Sequence, residues 1–367
     1  MNENFCSLPW VGVDISTQGG IKPCCKYDRT LAHDLDSYFT SPDLVELQQQ
    51  FSQGQRPSGC RRCWQDEDAG LPSKRQLDHQ YVLPSDVALD SIKILAMTFG
   101  NTCNLSCVTC GSSASSRWAV EERKIDIGSF GKSAYPHNRF YRDPAFRQKI
   151  SSLGSDLVHL EISGGEPFYA SDEIHKNFLL SLPKPEKIKI HYITNATVFP
   201  ESEFWEIWKR FRHVDIQLSI DGTGKRFEYL RYPAEWTAVQ ENISRYQEKK
   251  HIQISISHTV SWMNILYVED FFSWCDQQDL PDPYLGPVSK PNYLSVQCLP
   301  ETVKAKIRDR LATSGHKDIS TLINYMYLED QSDVFDKGQQ WLRTLDSQRD
   351  TVFADTFPEL NEFIQNS

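Results

Sequence analysis

Cys103-Asn-Leu-Ser-Cys107-Val-Thr-Cys110 places three thiols within eight residues, and no other stretch restricts the possible folds so sharply. A [4Fe–4S] cluster takes thiolate ligands, normally four. Three local cysteines with no evident fourth would leave one iron open to another ligand. Ile92 to Phe99, just before the loop, reads as a buried strand that ends at the turn residues Gly100 and Asn101. Ser112 to Arg123, just after it, reads as a polar helix start carrying Trp118. Spacing alone also admits three unrelated cysteines or part of a zinc site, so the rest of the chain must decide.

Further strand-like runs follow, each ending in polar or glycine-rich residues. Leu157 to Ile162 leads into Ser163-Gly164-Gly165-Glu166-Pro167. Two glycines let backbone approach a ligand closely, and Glu166 sets an acceptor beside them that suits an ammonium group. Ile188 to Ile193 leads into the pair Thr194-Asn195, and Val214 to Leu218 into Ser219-Ile-Asp221-Gly222, with Arg231 downstream. Ile252 to Val260 and Tyr284 to Val288 complete the set, with helical stretches such as 201–211 and 234–250 between strands. Strands alternating with helices imply a parallel sheet. Six such units are too few for the closed eight-stranded barrel. The expected fold is α/β, a partial (β/α)6 TIM-like barrel with ligand residues at the C-terminal ends of its strands.

The first hundred residues hold a second group of thiols. Trp10 to Ser16 and Ile21 to Cys24 read as a hairpin turned at Gln18-Gly-Gly20. Cys6 precedes it, Cys24 and Cys25 close it, and Ser41 to Ser52 reads as a helix with Ser41-Pro42 at its start. Cys60-Arg-Arg-Cys63 then supplies a C-x2-C pair. Cys6, Cys24 or Cys25, Cys60 and Cys63 would suit tetrahedral zinc as well as iron–sulfur. Glu67, Ser73 and Arg75, taken singly, read as solvated or capping residues.

In motif and order, the three-cysteine loop followed one strand later by Gly164-Gly165-Glu166-Pro167 resembles the radical S-adenosylmethionine (radical SAM) superfamily, whose signature is C-x3-C-x2-C. The resemblance implies that Cys103, Cys107 and Cys110 hold a [4Fe–4S] cluster whose open iron is chelated by SAM. It places Glu166 at the methionyl amine, Thr194 and Asn195 at the ribose, and Ser219 and Arg231 at the carboxylate, which a guanidinium fork suits. Reductive cleavage of SAM would give a 5′-deoxyadenosyl radical that takes a hydrogen from substrate. The layout Cys6-x-Leu-Pro-Trp10, Gly20-x-x-Pro-Cys24-Cys25 and Cys60-x2-Cys63-x3-Glu67-x2-Gly70-x2-Ser73-x-Arg75 resembles the auxiliary-cluster module called twitch or SPASM. That implies a second [4Fe–4S] cluster on Cys6, Cys24, Cys60 and Cys63, with Cys25 the spare. The family usually has an aromatic residue before the third cysteine, where this chain has Thr109.

The implied domains are an auxiliary module over 1–88, the barrel over 89–300 and a helical C-terminal extension over 301–367. In the extension Trp341, Leu342, Leu345, Phe353 and Phe357 are expected to pack on the barrel, without chemistry of their own. The resemblance further implies an external one-electron reductant, such as a flavodoxin or ferredoxin. Its substrate would be a peptide or protein side chain that is oxidised, cross-linked or epimerised. The alternative is a sugar or other small molecule, because no separate leader-gripping domain is evident. Cys275 lies in an apolar helical run. Cys298 is the candidate hydrogen donor should the product be an epimer, although a buried packing role is favoured. A reading from another class is a zinc-stabilised binding protein on a degenerate barrel.

Composition bounds these expectations. With no stretch near the roughly 20 apolar residues of a membrane span and no signal peptide at Met-Asn-Glu-Asn-Phe-Cys, a cytoplasmic location is expected. Ten cysteines, eight of them within the first 110 residues, then read as metal or cluster ligands rather than disulfides. A net charge of −10 disfavours a nucleic-acid partner, which would call for a basic surface.

Overall fold

The computed structural model describes residues 3–78, 92–125, 140–169 and 173–366. Six parallel strands run in sequence order: β3 (Ile94–Thr98), β4 (His159–Ser163), β5 (Lys189–Thr194), β6 (His213–Ser219), β7 (Gln253–Val260) and β8 (Tyr284–Pro287). They correspond to the six runs expected from the sequence, and the chain has the α/β architecture of a partial TIM-like barrel. Two shorter strands, β1 (Gly12–Ile15) and β2 (Ile21–Lys22), form the expected hairpin. What the pattern did not foretell is where that hairpin goes. β1 pairs in parallel with β3, from Gly12 opposite Ile94 to Ile15 opposite Met97. One sheet of order β2-β1-β3-β4-β5-β6-β7-β8 therefore carries both cysteine groups.

The two faces of the sheet differ in chemistry. Leu160, Ile162, Ile190, Tyr192, Val214 and Ile216 belong to the main core with Phe178, Phe204, Val239 and Tyr246 from the helices that cover the sheet. The opposite face is polar. Glu161 lies in register with His191 and His191 with Asp215. His191 Nδ1 and Asp215 Oδ2 are 2.6 Å apart, and Ser255 Oγ donates to Asp215 at 3.0 Å. Lys74, from the helix Lys74–Asp78, reaches Glu161 at 2.8 Å and Asp78 at 3.2 Å. Burial alone would raise the Glu161 carboxyl, but chiefly the Lys74 ammonium brings it down to about 2. A closed TIM barrel fills its interior with branched aliphatic side chains. This interior is built for polar contents.

A second core holds the C-terminal helices in place. Trp341, Leu342, Leu345 and Phe357 are buried in it and Phe353 packs against it, as expected. Trp118 joins them, stacked on Trp341 with centroids 5.6 Å apart. Its own helix is shorter than the pattern suggested, running Ser116–Glu121 with Ser115 as the N-cap that accepts from the Trp118 N–H. The preceding residues instead make turn bonds to Gly111 and Asn101. Among the described residues no helix is long and apolar enough to cross a membrane.

Candidate active site

The three-cysteine loop crosses the C-terminal ends of β3, β4 and β5. Its anchor is backbone contact that only glycine permits. Gly164 and Gly165 have φ of 81° and 54°, and a Cβ on Gly165 would lie 2.2 Å from the Thr102 carbonyl oxygen. The glycines thus serve a close approach to the chain leading into Cys103, with the Glu166 N–H donating to Thr102 at 2.8 Å. Pro167 is buried just beyond.

Glu166 is fully buried, and its carboxylate accepts from Thr194 Oγ1 at 2.7 Å, the Asn195 N–H at 2.7 Å and the Phe168 N–H at 3.2 Å. Burial raises its pKa to about 7 against these donors. The acid therefore clamps the ends of β4 and β5 together. The clamp orients Asn195, whose Nδ2 donates to Asn104 Oδ1 at 3.0 Å and stands 3.9 Å from Cys103 Sγ. Asn104 Nδ2 closes a polar ring through Thr197 Oγ1 at 2.8 Å. Thr194 and Asn195 thus belong to one network with the first cysteine.

Arg231 acts electrostatically on the other two cysteines. It is 8% exposed and pairs with Asp221 at 2.9 Å, while its Nε has no hydrogen-bond partner. Burial opposes its charge, but the Asp221 carboxylate, with Cys107 and Cys110, raises its pKa above the ordinary value. Backbone bonds seat the loop on this segment, from Val108 N–H to the Leu230 carbonyl at 2.8 Å and Ser106 N–H to the Tyr232 carbonyl at 2.6 Å. Ser219 ends β6 and makes no side-chain bond to Arg231; the partner there is Asp221, two residues beyond the serine.

The C-terminal helix Phe335–Arg349 supplies a contact the sequence reading missed. Arg349 donates to the Ser106 carbonyl at 2.7 Å and pairs with Glu121 at 2.6 Å, both side chains being buried. Trp118 Nε1 holds the Cys107 carbonyl at 2.8 Å, and the Arg349 guanidinium lies over the Trp118 ring. The signal was there in the spacing: Arg349 extends the buried pair Trp341 and Leu345 by one further step of four. The extension thus bears on the candidate site and does more than pack.

The N-terminal cysteines also gather. Cys6, Cys24 and Cys60 share a small core, and Cys63 acts electrostatically on all three. Burial pushes all four thiols upward. Cys25 points elsewhere, toward Lys74, Glu161 and Asp14. Of the solvated or capping roles expected for Glu67, Ser73 and Arg75, capping holds for Ser73, which accepts from the Gln76 N–H at 3.2 Å, and solvation fails for the buried Ser73 and Arg75. Arg75 pairs with Glu67 at 2.6 Å, Ser73 Oγ donates to Glu67 at 2.6 Å, and Arg75 Nη1 holds the Glu3 and Phe5 carbonyls at 2.8 Å each. The triplet braces the segment that delivers Cys6.

Between the two cysteine groups lies a cavity of about 1090 Å³. Lys22 from β2 and Tyr284, Gly286 and Pro287 from β8 line it, so it occupies the gap where the sheet fails to close. Cys25, Thr109 and Cys110 lie in its wall. Cys298 does not; it is fully buried, donates to the Tyr293 carbonyl at 3.5 Å, and has its pKa pushed up to about 12 by burial. Its neighbour Gln297 lines the cavity instead. We expect Cys298→Ala to lower stability by on the order of 1 kcal/mol, read as a shifted denaturant midpoint, as loss of a buried packing group does. Cys275 is fully buried in its helix, Val268–Gln277.

Among the described residues, no three His, Cys, Asp or Glu side chains are arranged to hold a single metal ion. No family model matches the chain, and no curated protein matches it. Among solved structures it is similar to anSMEcpe with bound AdoMet, at TM-score 0.40 and 17% identity over 56% of each chain. It is similar also to Streptococcus suis SuiB bound to S-adenosylmethionine (TM-score 0.38, 13% identity, 86% of this chain and 62% of that one). For SuiB bound to precursor peptide SuiA the values are 0.35 and 15%, over 74% and 52%. The chain thus spans little more than half the length of the first of these, and at such scores the likenesses say nothing of activity.

Proposed function

We propose that the chain is a radical SAM enzyme acting on a peptide or protein side chain. The observation that carries this reading is the convergence on one strand-end surface of three loop thiols, the Glu166–Asn195 clamp and a buried guanidinium with an unpartnered Nε. A tri-thiolate site with no local fourth ligand suits a [4Fe–4S] cluster left open at one iron. A bare, buried guanidinium donor beside it suits an anionic ligand group such as the SAM carboxylate. When bound, cluster and SAM would supply a 5′-deoxyadenosyl radical for hydrogen abstraction from substrate, with net oxidation, cross-linking or epimerisation to follow.

The chain's own residues do the holding. Three donors already engage Glu166, and a carboxylate offers about four acceptor directions, so one remains for an ammonium group while the others tie Thr194, Asn195 and Phe168 to the acid. Arg231 keeps its charge through Asp221 and offers Nε. Cys6, Cys24, Cys60 and Cys63 would hold the second cluster, and the cavity between the cysteine groups would receive substrate away from bulk water. The electron needed for SAM cleavage would come from an external reductant of the flavodoxin or ferredoxin kind.

The test is anaerobic reconstitution with iron and sulfide, then incubation with SAM and dithionite. We expect 5′-deoxyadenosine and methionine in equal amounts. A colourless protein that binds zinc and leaves SAM intact would replace this reading with that of a zinc-stabilised binding protein.

A further inference from the structure

The wall of the cavity is basic in a protein whose net charge is −10. Lys22, Lys26, Arg61, Arg62 and Lys290 line it against two carboxylates, Asp28 and Glu329. Both arginines are committed, Arg61 to Glu329 and Arg62 to Asp66 at 3.3 Å. Lys22 donates to the Cys25 and Tyr27 carbonyls at 3.0 and 2.9 Å, which fixes its position without neutralising it. Lys26 has no hydrogen-bond or ion-pair partner among the described residues, and Lys290 is exposed. Asp28 pairs with Arg29 outside the cavity, 3.8 Å away, and the buried Asp14 and Asp66 carboxylates lie in the fields of Lys22 and Lys26 respectively. Low-dielectric walls of one sign focus the field and concentrate counter-charged ligands.

We propose that the cavity takes an anionic substrate, a carboxylate-bearing peptide segment, with Lys22 and Lys26 as its charge partners across from Cys110. This rests on the peptide-modifying reading above and narrows its substrate class. A peptide occupant follows from the peptide-modifying reading, and a volume of about 1090 Å³, at the top of the roughly 300–1,000 Å³ of small-ligand pockets, admits one. The phosphate source is left as an outcome of the test.

The probes are two fluorescein-labelled twelve-residue peptides, one alternating Glu with Gly and Ser and the other carrying Lys in place of Glu. Each is titrated by anisotropy against the reconstituted full chain with SAM. We expect the acidic peptide alone to bind, more weakly as salt rises. Lys26→Glu should reduce its affinity at least tenfold, and Asp28→Lys should increase it. Lys26 also lies in the field of the buried Asp66, so the opposite sign expected at Asp28 is what separates a charge effect on the peptide from damage to the chain. Equal binding of both peptides, binding of neither, or insensitivity to both substitutions overturns the proposal. Displacement of the acidic peptide by uridine diphosphate at a far lower concentration also overturns it, in favour of a phosphate-bearing small molecule. Failure of the broader reading is seen separately, as intact SAM in the cleavage assay.

Discussion

Replacing Cys103, Cys107 and Cys110 together by Ala should remove about half of the iron and sulfide, from roughly eight of each per chain to roughly four, given two four-iron clusters. All SAM cleavage should go with it. The two thiol groups share no residue: Cys6, Cys24 and Cys60 pack with Tyr27, Phe51 and Trp64, with Cys63 in their field, while Cys107 and Cys110 lie in the field of Arg231. Removing one group therefore leaves the other's surroundings intact. Iron and sulfide analysis with Mössbauer spectroscopy reads the outcome. A triple variant that keeps all its iron, or a wild-type chain with one zinc and one cluster, would sink the two-cluster arrangement.

Arg349→Ala should destabilise the chain severely. It removes the cation from a buried pair and leaves the Glu121 carboxylate and the Ser106 carbonyl without it. Breaking such a pair from one side costs about 3–5 kcal/mol, because the remaining charge stays buried. That is a large fraction of the roughly 5–15 kcal/mol that holds a typical domain together. The double variant Arg349→Met with Glu121→Met should recover much of that stability, since matched apolar groups often replace a buried pair at little cost. It should still not restore the tie to Ser106, so SAM affinity should stay below wild type. Denaturant midpoints and SAM titrations measure the two effects independently. Equal stability of the single and double variants would show that the pair is not what holds the loop.

The barrel was legible because its strands are short apolar runs, each stopped by glycine or a polar pair, as in Gly164-Gly165 and Thr194-Asn195. Such punctuation is local and survives in one dimension. What escaped is non-local. Nothing in Gly12 to Ile15 says that its partner is β3 and not a strand of its own small sheet, because either pairing satisfies the same alternation. Glu67, Ser73 and Arg75 each look like surface residues, and only folding brings them to 2.6 Å contacts under Trp64. Asp221 was overlooked because the resemblance drew the assignment to Ser219, two residues before it. Cys25 and Cys24 cannot be told apart by spacing, yet they face opposite ways, one into the cavity and one into the cysteine core.

The union of β1 with β3 also governs how such a chain can be cut, spliced or inherited. A front segment joined only by a linker can be lost, duplicated or moved to the far end with little effect on the barrel. Here its removal would strip the covering strand from β3 and bare a row of unpaired amides and carbonyls along Ile94–Thr98, a ready template for pairing with another molecule. The two cysteine groups are bound by a shared backbone ladder as well as by any chemistry between them. Recombination that separates them must first supply β3 with a new neighbour.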